Sequence, residues 1–309
     1  MFERPFQAID LNRVTIMEQR FGPVLFVPGD NRGNYPNCNS LYVEGAVKIL
    51  IDPSSNRDRL RQLCDKPGVD AVLLSHWHED HFMHLDLFEE KPLWISAADA
   101  EPLLSLDRFL DAYDMNDEER EPWIKTMYEV FHFKPRTPQR MIDGGEVIDL
   151  GGVTVQVVHT PGHTPGHCAL FFREEEILFL GDYDLTAFGP WYGDVHSDID
   201  KLLASVEELK SMQARTWLAS HGDGVFLSNP GELWNSYVSV VHQRDQALLD
   251  LLKEPRTMAD VIDARIVYKK KREPKEFFDF GERDIMGKHL QRLIKNGEVT
   301  FDGEVYRRV

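Results

Sequence analysis

Cysteine is scarce in this chain. Cys38, Cys64 and Cys168 are the only three in 309 residues; far apart and odd in number, they exclude a disulfide framework and fit a reducing cytoplasm. Long hydrophobic runs are absent too. No stretch approaches the ~20 apolar residues of a membrane span, and the start, residues 1–7, lacks the basic and apolar segments of a secretory signal. The expectation is a cytoplasmic protein with no membrane partner. Positive charge is also in short supply: 35 Lys and Arg face 52 Asp and Glu, for a net charge of −17 and a pI near 5.1. Such a surface repels nucleic acid and anionic membrane as a whole. Internal repeats and low-complexity tracts are missing, which excludes solenoid and propeller arrays.

What is present is enough for a large core. With 42% hydrophobic residues, the chain can build one sizeable domain and a small second one. Residues 23–27, 47–51 and 69–74 are short apolar, partly β-branched runs that predict strands, and 28–39, rich in Gly, Asn and Pro, predicts a loop. From 97 the texture becomes helical: Leu103, Leu106, Phe109, Leu110 and Tyr113, then Trp123 and Met127, mark a helical pair in an insertion spanning about 97–140. Strands resume at 146–150 and 153–158, joined by Gly151-Gly152 as a hairpin turn. A further pair, around 168–172 and 177–180, flanks an acidic turn.

The chemistry concentrates in Ser75-His76-Trp77-His78-Glu79-Asp80-His81. In an extended segment His76 and His78 point the same way, so both can grip one ion, and Asp80 and His81 follow where a tight turn aims them at a second. Imidazole and carboxylate together suit a borderline or hard divalent cation and metal-assisted hydrolysis. Three more groups fall at predicted strand ends: the His159-Thr160-Pro161-Gly162-His163-Thr164-Pro165-Gly166-His167 loop, Gly181-Asp182, and Ser220-His221.

These motifs, in this order, resemble the metallo-β-lactamase fold superfamily over roughly residues 20–240. The resemblance implies a four-layer αββα sandwich of two mixed sheets, in an α/β (α+β) chain. It implies a first metal held by His76, His78 and His163, a second by Asp80, His81 and His221, and Asp182 between them. Asp52, in Ile51-Asp52-Pro53, matches the superfamily's supporting acid. The cofactors expected are two divalent metal ions, zinc first, with iron or manganese accepted by the same nitrogen and oxygen donors. Asp80 would orient a water activated between them. Phe82-Met83-His84 departs from the Gly pair common after the first motif, and Asp182 stands where class B β-lactamases carry Cys, which argues against antibiotic hydrolysis.

The C-terminal part predicts a helix from 241, a second capped by Thr257, a third over 284–295, and a hairpin turning at Asp302-Gly303. Three helices and a hairpin read as a winged helix, giving domains at 1–240 and 241–309. The combination is similar to lactamase-like hydrolases that include animal mitochondrial endoribonucleases. Residues 243–309 hold 15 basic and 13 acidic side chains, too balanced to favour nucleic acid. Lys269, Lys270, Lys271 and Arg272 form the one basic run and are candidate substrate contacts, as is His196. The module also offers a surface for packing or for a homodimer. The leading expectation is a hydrolase of a small thioester or ester, with glyoxalase II-like chemistry on a small-molecule substrate. Cleavage of single-stranded RNA and mononuclear iron chemistry of the persulfide dioxygenase kind are the alternatives.

Overall fold

The computed structural model describes residues 17–309; the stretch 1–7, read as free of a secretory signal, lies outside the described residues. One sheet runs β1 (Gln19–Phe21), β2 (Val24–Val27), β3 (Ser40–Glu44), β4 (Lys48–Ile51), β5 (Ala71–Leu73), β6 (Leu93–Ser96) and β7 (Arg140–Ile142), in that spatial order. Its first four strands pair antiparallel and the rest parallel. The second sheet holds β8 (Val147–Asp149), β9 (Thr154–His159), β10 (Cys168–Phe172), β11 (Ile177–Phe179), β12 (Thr216–Leu218) and β13 (Val225–Phe226), antiparallel except for β11 with β12.

Strand periodicity of two explains the layering. Val24, Phe26, Leu41, Val43, Ile49, Ile51, Ala71 and Leu73 face Val155, Val157, Leu170, Phe172, Phe179 and Leu218 in the core between the sheets. The alternate residues are apolar as well: Leu25, Val27, Tyr42, Leu50 and Val72 point outward on the first sheet and Val158, Ala169, Leu178 and Trp217 on the second. Sheets apolar on both faces need cover on both. The first is covered by α1 (Arg57–Leu63), α2 (Glu79–Phe82), α3 (Leu106–Ala112) and α4 (Asp117–Glu129); the second by α5 (Ile199–Ser211), α6 (Glu232–Leu251), α7 (Met258–Asp263) and α8 (Lys275–Lys295). The result is the expected αββα sandwich, with α3 and α4 as the expected helical insertion.

After α8 the chain closes with the hairpin β14 (Val299–Phe301) and β15 (Tyr306–Arg308). Thr257 caps α7 as expected, in a reciprocal box with Asp260. Strands β1, β3, β6, β7 and β13 and helices α1 and α5 are not among the expected elements, and one expected helix starts elsewhere. Strand β3 follows the 28–39 loop directly and was not set apart from its surroundings in the sequence. Helix α8 starts at Lys275, not 284, because Phe277 and Phe280 pack against the insertion, where Trp123 lies 5.8 and 6.2 Å from them. α6 runs through the expected boundary at 240/241, and residues of α5, β12, α6, α7 and α8 share one core cluster.

Candidate metal centre

Each functional side chain leaves a strand end. β4 stops at Ile51, and Asp52 takes a positive φ of 50°, a conformation Asp tolerates better than most residues. Its carboxylate accepts from the Ser75 amide at 2.8 Å and the Ser75 hydroxyl at 2.7 Å, pinning the loop that follows β5. That loop bends at Ser75 and His76 and is extended again at His78, and α2 begins at Glu79, which places Asp80 and His81 in its first turn. β9 leads to His163, β11 to Asp182 and β12 to His221. The turn at Gly181 requires glycine: φ is +58°, and a Cβ there would lie 2.4 Å from His167 Nε2. Gly162 is similarly confined, with a Cβ position 2.2 Å from the Leu202 amide of α5.

The seven resulting side chains form two adjoining groups. His76 Nε2 lies 3.2 Å from His78 Nδ1 and 3.0 Å from His163 Nε2. Asp80 Oδ2 lies 3.4 Å from His221 Nε2. Asp182 stands between: Oδ2 is 3.2 Å from His163 and 3.9 Å from His76, while Oδ1 is 2.9 Å from His81 and 3.3 Å from His221. His81 Nε2 and Asp182 Oδ1, though close, are misaligned for a hydrogen bond and have no other partner. Atoms that crowd without bonding one another are aimed at a common third point. The donor set, five imidazoles and two carboxylates, fits divalent cations of the zinc, iron or manganese type.

The outward nitrogens of these rings are fixed by acceptors. His81 Nδ1 donates to Asp52 Oδ2 at 3.0 Å, His163 Nδ1 to the Trp191 carbonyl at 3.0 Å, and His221 Nδ1 to the Gly33 carbonyl at 2.6 Å. The Ser75 hydroxyl, itself donating to Asp52, lies 3.0 Å from His76 Nδ1. His78 is reversed: its Nε2 faces the buried Asp194 Oδ2 at 3.4 Å and its Nδ1 turns inward. Four rings thereby present a lone pair to the centre, the arrangement by which outer partners orient imidazole ligands; His78 Nε2 and Asp194 Oδ2 face each other without a hydrogen bond.

Several of these supports were missed in the sequence. Asp194 sits in an irregular segment where acids are ordinarily solvated. Asp99, fully buried just after β6, accepts from the Gly166 amide at 2.6 Å and the Thr164 hydroxyl at 2.5 Å, holding the His163 loop. Glu79 accepts from the hydroxyls of Tyr35 and Tyr113, each at 2.9 Å. Of the other loop histidines, His167 accepts from the Asp182 amide at 3.1 Å, and His159 is exposed with its ring against the Pro165 carbonyl.

Burial and charge divide the titrations. Burial, then the neighbouring His81, holds His76 well below the ordinary imidazole value, and burial lowers His78 and His167. For His221 burial also opposes the charged ring, but Asp182 and Asp80 overcome it and raise the group to about 10; His81 and His163 are raised by Asp182 in the same way. Asp182, although buried, is held well below the usual carboxylate range by the imidazoles around it. Burial raises Glu79 to about 7 and Asp184 to about 6.

A cavity of about 790 Å³ opens over the centre. Asp80, Asp182 and His221 lie at its floor, and Lys269, Lys270 and Arg272 line its exposed rim. Two expected contacts are not brought there. Lys271 turns to Asp263, 3.2 Å away. His196 is exposed and outside the cavity lining, because its amide donates to Asp194 Oδ1 at 2.8 Å and leaves the ring in solvent. A third group, His84, Asp86 and His132, lies apart; Arg57 already occupies both oxygens of Asp86.

The family model described as the metallo-beta-lactamase superfamily matches residues 34–221. Among curated relatives, an "atrochrysone carboxyl ACP thioesterase" of Aspergillus fumigatus is 26% identical over 81% of this chain and 72% of its own length. A "beta-lactamase-like protein 2 homolog" of Caenorhabditis elegans is 24% identical over 84% of this chain and 80% of its own. A metallo-beta-lactamase family protein from Thermus thermophilus superposes with a TM-score of 0.71 over 93% of this chain and 98% of that one, at 24% identity. With the sandwich and the strand-end His and Asp groups already placed, the match across 34–221 identifies the chain as a member of the metallo-beta-lactamase superfamily.

Proposed function

We propose that this chain is a metal-dependent hydrolase of a thioester or ester, with His76, His78 and His163 holding one divalent cation, Asp80, His81 and His221 a second, and Asp182 shared. The observation that carries this is the outward fixing of four of the five rings, with the fifth, His78, set against Asp194, which leaves their inner nitrogens converging. When bound, such cations supply Lewis acidity at the scissile carbonyl and activate water near neutral pH. Zinc is the first choice, and iron or manganese suits the same donors.

The residues then divide the work. Asp80, at the cavity floor, accepts a proton from the attacking water and orients it. Water oxygen bonds to the acyl carbon, the carbon–sulfur bond breaks, sulfur takes a proton, and a carboxylate and a thiol leave. Asp52 and Asp194 keep His81 and His78 in their working tautomers. No side-chain nucleophile is required. The relatives named as ACP thioesterases support the thioester over other acyl compounds.

The C-terminal elements α6, α7, α8, β14 and β15 follow the order of a winged helix, and we assign 241–309 to such a module, with 1–240 as the catalytic domain. Because α8 and the loop before it line the cavity, its task in this reading is to complete the pocket. Lys269, Lys270 and Arg272 at the rim also leave RNA cleavage as the second reading. The test is metal quantification on protein purified without chelator, paired with thioester, single-stranded RNA and persulfide substrates. Thioester turnover with two equivalents of metal is expected; RNA cleavage without thioester turnover, or oxygen uptake with a single iron, would overturn the proposal.

A further inference from the structure

The cavity is chemically graded. Its acids, Glu79, Asp80, Asp182 and Asp184, all lie buried or half-buried toward the floor. Its walls are aromatic and come from four separate segments, the first being the 28–39 loop with Tyr35. Tyr113 and Trp123 are supplied by the insertion, Phe188 and Trp191 by the loop after Asp182, and Tyr268, Phe277, Phe278 and Phe280 by the C-terminal part. The rings brace one another: Tyr113 and Trp123 stack at 6.4 Å with planes 21° apart, and Tyr268 meets Phe278 edge-on at 5.0 Å. Tyr35 and Tyr113 donate their hydroxyls to Glu79, an acid of the same cavity, so neither phenol is free for another polar partner there. Above these walls stand three exposed cations. No carboxylate pairs with Lys269, Lys270 or Arg272 among the described residues, and Arg272 is steadied over the Phe278 ring at 5.6 Å.

Resting on the thioesterase reading, we infer that the substrate is a bulky, ring-bearing acyl group on a phosphopantetheine arm, with the acyl group against the aromatic walls and the arm's phosphate on Lys269, Lys270 and Arg272. The size of the cavity, about 790 Å³, is that of a drug-sized ligand site and far exceeds what an acetyl or lactoyl group fills. Braced rings favour a flat, rigid acyl group, which stacks with little ordering cost. The carrier follows from the charge at the rim. Thiol carriers of general use end in phosphate, as pantetheine arms do, or in a zwitterion, as glutathione does. A glutathione amine needs an acid beside it, and the rim of this cavity has none. A compact phosphate dianion needs only the cations.

The proposal is tested by binding and by turnover on the metal-loaded protein. Binding uses arms that lack sulfur, so that no thiol reaches the metals: desulfo-pantetheine, its 4′-phosphate, and desulfo-coenzyme A. The 4′-phosphate is expected to bind on the order of tenfold tighter than the phosphate-free arm, with the advantage shrinking as salt rises. It should fall below about twofold in the triple variant Lys269→Ala, Lys270→Ala, Arg272→Ala. Lys271→Ala removes the same kind of charge outside the cavity, and an equal loss there would reduce the effect to net charge and overturn the phosphate site. An advantage that enters only with the nucleotide of coenzyme A, or tighter binding of S-methylglutathione, would also overturn it. Turnover compares naphthoyl and acetyl thioesters on one phosphopantetheine arm, presented both as coenzyme A esters and on a carrier protein; the two presentations tell which source supplies the arm. A kcat/KM at least tenfold higher for naphthoyl is expected, and parity refutes the acyl assignment. If the phosphate discrimination holds and no thioester is cleaved, the hydrolase reading fails alone. If thioesters are cleaved with no phosphate discrimination, this inference fails alone.

Discussion

Replacing Asp194 by Asn probes the outer support of the centre with almost no change in volume. In the native arrangement Asp194 Oδ1 accepts the His196 amide at 2.8 Å and Oδ2 faces His78 Nε2 at 3.4 Å. An Asn that keeps its oxygen on the His196 amide must aim its NH2 at His78 Nε2. Two donors cannot share a bond, so the imidazole moves its proton to Nδ1, the atom 3.2 Å from His76 Nε2, and His78 no longer offers a lone pair inward. The flipped Asn keeps the tautomer but leaves the half-buried amide of His196 unpartnered, toward the lower end of about 1–3 kcal/mol. The first outcome predicts metal affinity weaker by roughly 10–100-fold, the usual effect of losing an outer partner, equivalent to about 1.4–2.7 kcal/mol; the second predicts near-native affinity with a lower melting temperature of the metal-free protein. Competition against a chromophoric chelator measures it directly, and thermal unfolding with and without zinc measures it again, because ligand stabilisation follows the dissociation constant. The metal-free variant should melt close to the metal-free native protein if Asn keeps its oxygen on His196. Native zinc affinity together with native metal-free stability in Asp194→Asn would refute the orienting role.

Further outcomes follow from neighbouring features. His76→Ala and Asp182→Ala should each abolish hydrolysis while the protein stays soluble, and near-native turnover by either after metal removal would sink the two-cation assignment. Asp99→Ala strands the Gly166 amide and the Thr164 hydroxyl in a buried site and should cost about 2–4 kcal/mol in urea unfolding. Asp284 is raised to about 7 by burial, has one oxygen unpartnered, and accepts from Arg283 with the other at 2.8 Å. A carboxyl so raised binds a proton in the folded state that the unfolded chain releases, so its contribution to stability is present below about pH 4 and lost as pH rises through about 7. Asp284→Asn should therefore raise the melting temperature at pH 8, by an amount equivalent to at most about 4 kcal/mol, and by less than half of that at pH 5; equal gains at both would exclude a titration effect.

What the sequence disclosed depended on how locally each feature is written. His76, His78, Asp80 and His81 fall within six residues after one strand, so their gathering could be read before any fold was known. His163 could be picked from three histidines four apart only through the superfamily pattern, and in the structure it is the one of the three that meets His76 Nε2. The layers were legible because apolar runs bounded by Gly and Pro are short enough to be strands. Asp194, Asp99 and the Glu79 pair of tyrosines were not, since a buried acid in a loop looks like a solvated one until the segments packed over it are known. The start of α8 was hidden for a related reason: its first turns spend their aromatic side chains on the cavity and the insertion, which breaks the amphipathic rhythm that marked 284–295.

The separate origins of the cavity's floor and walls have a consequence for how the protein responds to substitution. The floor descends from strand ends whose positions are locked by two sheets, and any shift there disturbs all the converging rings together. The walls belong mostly to an insertion and a C-terminal segment that share no strand with the floor; only the loop bearing Phe188 and Trp191 continues from a floor strand, β11. Substitutions at Trp123, Phe188 or Phe277 are therefore expected to change which acyl group fits while the converging side chains of the floor keep their places.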